Sequence, residues 1–257
     1  MEFARILHND APQWCVKDNS DGSRLTAIDG NPLDGWRRAD GSFDPVTAAY
    51  LPPCTPSQLI IVGWNYAEHT RETGSDLPPE PMCYPLSPKA LSAHKRDVII
   101  PNFVTHVEHE AELVVVISKT AKHVKASDAL SYVLGVSCGN DVSARDIQNH
   151  PQFPNLPRAK TVDTFKPVGP WLVTDVAFDD LPISITVNGE QRQSARTSDM
   201  IFHVPELVEF ITKTITLYPW DIIFTGTPKG CTRIKPGDKM AVTIDGVGTL
   251  VNNVVVE

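Results

Sequence analysis

The sequence predicts an α+β protein that is mostly β, and three observations carry that expectation. Short apolar runs recur from residue 58 onward, candidate helices are few and short, and the two do not alternate in the βαβ order of a doubly wound sheet. The runs that read as buried strands are Gln58 to Val62, Glu112 to Ile117, Trp171 to Val173, Ile183 to Val187, Ile222 to Phe224 and Met240 to Ile244. The helix candidates are Asn65 to Arg71, where Asn65-x-x-Glu68 resembles a capping box, Ala126 to Leu134 with Ser127 as N-cap, and Pro205 to Thr212 with Pro at an opening position.

Residues 1–57 have a different texture and are expected to form a small strand-rich N-terminal region, with residues 58–257 as the catalytic domain. Turn signals punctuate the first region at Asp18-Asn19, Asp21-Gly22, Asp29-Gly30, Asp34-Gly35 and Asp40-Gly41. Closely spaced prolines in Leu51-Pro52-Pro53-Cys54-Thr55-Pro56 resist helix and central strand alike, which suits a linker.

The formal charge of −8 argues against a nucleic-acid partner, because phosphate binding needs clustered Lys and Arg. The five cysteines are scattered without CxxC spacing, so reduced thiols are expected rather than disulfides or a zinc site. The N-terminus has an early acid and no apolar core of a signal peptide, and no apolar run approaches the roughly 20 residues that span a bilayer. A cytoplasmic protein without membrane contact is the expectation.

Glu110-Ala111-Glu112-Leu113-Val114-Val115-Val116-Ile117 is the most informative segment. Side chains alternate along a strand, so Glu110 and Glu112 share a face, with His109 on the other. Two like charges entering an apolar strand are costly to bury unless a cation joins them, and a hard ion such as Mg²⁺ or Mn²⁺ prefers such oxygen donors. The plain alternative is two solvated glutamates at a strand start. Asp141, in Gly139-Asn140-Asp141-Val142-Ser143-Ala144-Arg145-Asp146-Ile147-Gln148, is a candidate third carboxylate, with Arg145 and Gln148 projecting toward a bound acid. The alternative there is a turn with Asn140 or Asp141 capping a helix.

His69 and Glu72 lie three apart on the short helix after Gly63-Trp64-Asn65-Tyr66, where a carboxylate can orient an imidazole and raise its basicity. An exposed helical pair would fit the same spacing. Lys160 is a candidate to steady a developing enolate, against a solvated surface lysine. The turn Thr225-Gly226-Thr227-Pro228-Lys229-Gly230 offers amides and hydroxyls to a carboxylate and lacks the spacing of a phosphate loop.

In order and context these segments resemble the fumarylacetoacetate hydrolase family. The matching run also includes Asp163-Thr164-Phe165, Gly169-Pro170 and Val187-Asn188-Gly189-Glu190, and it covers residues 58 to 257. Glu110 to Ile117 and the Thr-Pro-Lys-Gly turn look especially like the bacterial isomerase/decarboxylase branch. The resemblance implies a mixed β-sandwich roll with few helices, assembled as a homodimer. It implies Mg²⁺ or Mn²⁺ on Glu110, Glu112 and Asp141, and an acid–base pair of His69 and Glu72 on a lid that orders with substrate. Lys160 would steady the substrate oxygen, Tyr66, Arg145 and Gln148 would contact the substrate, and Thr227 would hold its carboxylate. The chain departs from the family pattern where Cys83-Tyr84-Pro85-Leu86-Ser87-Pro88-Lys89 replaces Phe-x-Lys-Pro, leaving the usual pocket lysine missing or displaced to Lys89. Tyr218-Pro219-Trp220-Asp221 replaces Pro-Gly-Asp, and Ser118 replaces a glycine.

The leading expectation is a hydrolase that cleaves a C–C bond in a small 2,4-dioxo acid through a metal-bound enolate. The alternative is a decarboxylase or keto–enol isomerase on a 2-oxo diacid, which needs the enolate but no attacking water. A metal-stabilised scaffold fits less well, since a scaffold has no use for an acid–base pair.

Overall fold

The computed structural model describes residues 1–17 and 24–257; the turn signals at Asp18-Asn19 and Asp21-Gly22 lie outside the described residues. One long sheet runs through the molecule, and one of its interior strands is Ala111–Ile117, buried at every position. That strand pairs antiparallel with Val133–Asn140 on one side and Ile222–Phe224 on the other. Alternation sends its two sets of side chains into two cores. Leu113, Val115 and Ile117 join one, and Val114 and Val116 the other. A strand buried on both faces reads as a continuous apolar run, which is why this segment stood out.

The first core lies between the long sheet and a five-stranded sheet containing Pro182–Val187, Lys239–Ile244 and Gly248–Val256. The helix Val204–Thr214 adds Leu207, Val208 and Ile211 to it. The second core is closed by Phe3, Val16 and Ile28 from the N-terminal strands, packed on Leu59, Ile61, Leu172 and Phe224. This mostly-β arrangement with few, short helices is the fold class expected from the sequence.

Residues 1–57 do not form a sheet of their own. Glu2–His8 pairs with Lys166–Val173 through Glu2↔Val173 and Phe3↔Leu172, so the N-terminal strands extend the long sheet. Tyr50–Leu51, which reaches the first residue of the expected linker, pairs with Arg5 and Ile6 on the same edge of Glu2–His8, further along the strand. Two of the expected turn signals also read differently in three dimensions: Asp34 sits in a turn, whereas Asp40 and Gly41 lie within the strand Gly35–Phe43.

Two expected helix caps are replaced. Asn65 does not cap the helix Ala67–Glu72; its amide donates to the carbonyls of Phe202 and Thr225, and its Oδ1 accepts from Phe202 N. Tyr66 takes the N-cap position without a side-chain bond. Residues Ala126–Tyr132 form a 3₁₀ helix that begins after Lys125, so Ser127 is inside it rather than capping it.

A fully buried Asp221 fastens the end of the sheet opposite the site. Its Oδ1 accepts from Ser57 N, Ser57 Oγ and Gln58 N at 2.8–3.0 Å, and its Oδ2 from Gln58 Nε2 and Tyr218 N. These bonds set the start of Leu59–Gly63 beside Ile222–Phe224. The preceding Trp220 has a left-handed backbone, φ 74°, where the family pattern has glycine, and its ring stacks on Trp14 at 5.5 Å. Asp221→Ala strands several buried donors at once, and we expect it to lower the unfolding free energy by about 3 kcal/mol. Urea denaturation checks this; a loss below about 1 kcal/mol would mean that water replaces the carboxylate.

Candidate active site

Strand register assembles the acidic cluster. Ala111 pairs with Asn140 and Glu112 with Gly139, so one step further the backbone N–H of Asp141 donates to Glu110 O at 2.9 Å. The Asn140 side chain accepts from Glu110 N and fixes the same corner. Gly139 leaves the space that the crossing requires, since a Cβ there would lie 2.4 Å from Val114 Cγ2. The result is a carboxylate trio, Glu110, Glu112 and Asp141, whose oxygens approach within 4.8 Å of one another. All three side chains are buried, which removes the solvated-strand alternative for the glutamates, and the helix Arg145–Gln148 has Ala144 at its N-cap, so neither Asn140 nor Asp141 caps it.

Buried carboxylates need positive partners. Lys160, itself buried, bridges Glu110 Oε2 at 2.7 Å and Asp141 Oδ2 at 2.8 Å. Arg145 reaches Glu110 Oε1 at 2.6 Å and Glu108 Oε2 at 2.7 Å. Lys166, fully buried, sits 2.7 Å from Asp141 Oδ1 and donates to the carbonyls of Val142 and Phe165. Burial pushes the Glu110 carboxyl up, but Lys160, Arg145 and His69 outweigh it and hold it well below the usual carboxylate range.

Glu112 is the exception. Among the described residues it has no ion pair; Gly226 N donates to its Oε2 at 2.7 Å. Burial first, then the charges of Asp141 and Glu110, push its carboxyl well above the ordinary value. A divalent cation would supply the charge that Glu112 lacks, and three carboxylates are the donor set a hard ion prefers. The cluster therefore fits Mg²⁺ or Mn²⁺. Gly226 is itself required by close approach, because it has φ 101° and a Cβ would lie 2.7 Å from Asn65 Cβ.

A cavity of about 850 Å³ opens beside the trio, lined in part by Glu110, Asp141, Arg145, Gln148, Lys160 and Thr227. His69 and Glu72 stand on its wall, with His69 Nδ1 3.4 Å from Glu72 Oε2. The imidazole is buried while Glu72 is exposed, so the pair is not the fully solvated helical pair that its spacing also allowed. Its helix is tethered to the turn after Ile222–Phe224: Gly230 N donates to Glu72, and Lys229 pairs with Glu68 at 2.7 Å.

The remaining expected contacts separate. Gln148 Oε1 accepts from Arg145 Nη1 at 2.7 Å, which aligns both on the wall. The Thr227 hydroxyl donates to Ala111 O and accepts from Gln193 Nε2, so its hydrogen is already engaged. Tyr66 belongs to the core and does not line the cavity, and among the described residues its buried hydroxyl has no hydrogen-bond partner. Lys89 is exposed and outside the lining, where Met82 and Tyr84 stand instead. His109 faces away as alternation requires, between Gln193 and Thr232. The sequence reading did not single out Glu108, Lys166 or Cys231. Glu108 shares the parity of Glu110, and a lysine inside an apolar strand was a signal for Lys166; nothing in the local sequence marks Cys231.

Comparison with known proteins identifies the family. Residues 58–255 match the fumarylacetoacetate (FAA) hydrolase C-terminal family. A 4-hydroxyphenylacetate degradation bifunctional isomerase/decarboxylase of Salmonella dublin is 41% identical over 265 residues, with 100% of this chain and 62% of that protein covered. The mitochondrial oxaloacetate tautomerase FAHD2A of Bos taurus is 39% identical over 217 residues, covering 80% of this chain and 69% of that one. The crystal structure of a 5-carboxymethyl-2-hydroxymuconate delta-isomerase from Mycobacterium smegmatis superposes with a TM-score of 0.91 at 34% identity, covering 100% of both chains. With its carboxylate trio at the meeting of two strand ends and a match running through almost all of the sequence after residue 57, this chain belongs to the fumarylacetoacetate hydrolase family of enzymes.

Proposed function

We propose that this enzyme is divalent-metal-dependent and moves a proton next to the 2-oxo group of a small 2-oxo diacid, with tautomerisation, isomerisation or decarboxylation as the outcome. The observation that carries this reading is the carboxylate trio, two of whose members, Glu110 and Asp141, line the same cavity as His69. Mg²⁺ or Mn²⁺ held by Glu110, Glu112 and Asp141 would supply Lewis acidity that stabilises negative charge developing on a 2-oxo oxygen. Arg145 and Gln148 present donors to an anionic substrate from the same wall. His69 moves the proton, with Glu72 orienting the ring through Nδ1. Lys160 keeps positive charge between Glu110 and Asp141, next to the reacting oxygen. The names of the bacterial and bovine relatives favour this outcome over cleavage. A cytoplasmic homodimer belongs to the same reading; among the described residues no helix is long and apolar enough to cross a membrane.

Hydrolytic cleavage of a 2,4-dioxo acid is the second reading. It is favoured by the hydrolase family match and by a cavity with room for a water beside His69. Product analysis separates the two. With Mg²⁺ present, oxaloacetate and unsaturated 2-oxo diacids are expected to interconvert between enol and keto forms or release CO₂, and both processes should stop with EDTA. Release of pyruvate and a free acid from acylpyruvates, without CO₂, would establish cleavage instead.

His69→Ala is expected to lower kcat by about 10²-fold or more while leaving KM little changed, since His69 acts on the proton rather than on binding. Steady-state kinetics on the substrate identified by that panel measure both constants.

Glu112 gives a pH signature in metal-free protein. Its carboxyl is raised in the folded chain, so the fold holds a proton that the unfolded chain releases above about pH 4.3. Stability is therefore fully present below that pH and falls as pH rises toward the raised value. In EDTA the urea midpoint of the wild type should decline relative to Glu112→Gln over this range, and Mg²⁺ should restore the wild type alone. Parallel profiles for the two proteins would remove Glu112 from the metal set.

A further inference from the structure

The same cavity wall carries a second set of donors with different chemistry. Cys231 follows the turn after Ile222–Phe224, His69 stands on the helix Ala67–Glu72, and Glu110 precedes the strand Ala111–Ile117. One sulfur, one nitrogen and one oxygen from these residues lie within 4.8 Å of one another, and all three residues line the cavity. We propose that Cys231, His69 and Glu110 form a site for a thiophilic divalent ion such as Zn²⁺ or Cd²⁺, distinct from the all-oxygen trio but sharing Glu110 with it.

The donor types argue for the ion. Zn²⁺ takes cysteine sulfur, imidazole nitrogen and carboxylate oxygen, and three protein ligands with an open fourth position are a common form of such a site. Hard ions have little affinity for the sulfur, so Mg²⁺ does not compete there. Two of the three ligands, Cys231 and His69, are also loosely held. Cys231 Sγ is 4.0 Å from His69 Nδ1, 3.5 Å from Gln193 Nε2 and 3.9 Å from Pro228 O, and the His69–Glu72 contact is a long 3.4 Å. Metal–ligand bonds of about 2.0–2.3 Å need only a contraction of about 1 Å among these atoms. Arg145 and Lys160, both on Glu110, oppose a second cation, while Glu72 and Glu108 on the same wall favour it. On binding, a metal–sulfur bond forms and the thiol proton leaves to solvent. The ion also occupies the His69 lone pair, so it inhibits any reaction in which His69 moves a proton.

Cd²⁺ titrated into the Mg²⁺-saturated full chain tests the site directly through its ultraviolet thiolate-to-metal charge-transfer band. The expected result is a saturable band corresponding to one thiolate per chain. It should vanish in Cys231→Ser and need at least about tenfold more Cd²⁺ in His69→Ala. An Mg²⁺-dependent rise in melting temperature in each variant verifies that it is folded with the carboxylate trio intact. Absence of the band in the wild type, its persistence in Cys231→Ser, or unchanged Cd²⁺ demand in His69→Ala would overturn the assignment. The half-inhibitory Zn²⁺ concentration, read on each protein's own Mg²⁺ rate, should rise at least about tenfold in Cys231→Ser. Only this inhibition arm rests on the proposed role of His69; the absorption arm stands whether or not a 2-oxo acid is turned over.

Discussion

Charge compensation inside the protein governs this structure. Glu108, Glu110, Glu112 and Asp141 converge on one corner of the long sheet, opposed by Arg145, Lys160 and Lys166. Four carboxylates face three cations, and the unmatched carboxylate is Glu112, the one without an ion pair. Removing one partner from such a set leaves a charge stranded in low dielectric, at a cost of about 3–5 kcal/mol. The corner is therefore expensive to build, and the proposed divalent cation would take the place of the proton that Glu112 otherwise holds.

The rest of the fold serves to hold that corner still. The strands Ala111–Ile117 and Val133–Asn140 are clamped between two cores, so their ends cannot shift register without moving apolar side chains from one core into the other. Phe3, Val16 and Ile28 cover one of those faces, which gives residues 1–57 a structural task in the catalytic layer. At the far end, Asp221 fixes the start of the strand that leads to Gly63 and the His69 helix. Packing thus carries positional precision from one end of the sheet to the other.

What the sequence disclosed follows from the range of the interactions involved. Apolar runs such as Glu112 to Ile117 and Ile222 to Phe224 are local signals, and they mark the strands within a residue or so. The parity of Glu110 and Glu112 is local too, and it placed both on one face. The meeting of Glu110 with Asp141 depends on pairing between segments 31 positions apart, which the residues alone left open and the family resemblance supplied. Asn65 shows the opposite failure. Its spacing to Glu68 suggested a cap, yet its side chain serves Phe202 and Thr225, partners more than a hundred residues away. Cys231 escaped because a lone cysteine has no periodicity to read, and Lys166 because a lysine on an apolar strand is a signal that names no partner; only the fold gives each its neighbours.

Their neighbours explain why one wall can support two kinds of metal chemistry. Glu110 is held by Lys160 and Arg145, so its charge persists whether or not an ion is bound. On one side it joins Glu112 and Asp141 in an all-oxygen set; on the other it meets a nitrogen and a sulfur. The two sets differ in softness, not in position, and His69 belongs to the softer one. A cavity arranged in this way couples its acid–base group to the supply of thiophilic ions through Cys231 alone, since the other two ligands are already needed for the proposed reaction. On these two proposed assignments the identity of residue 231 sets how exposed the enzyme is to such ions, while the carboxylate trio would take the hard ion.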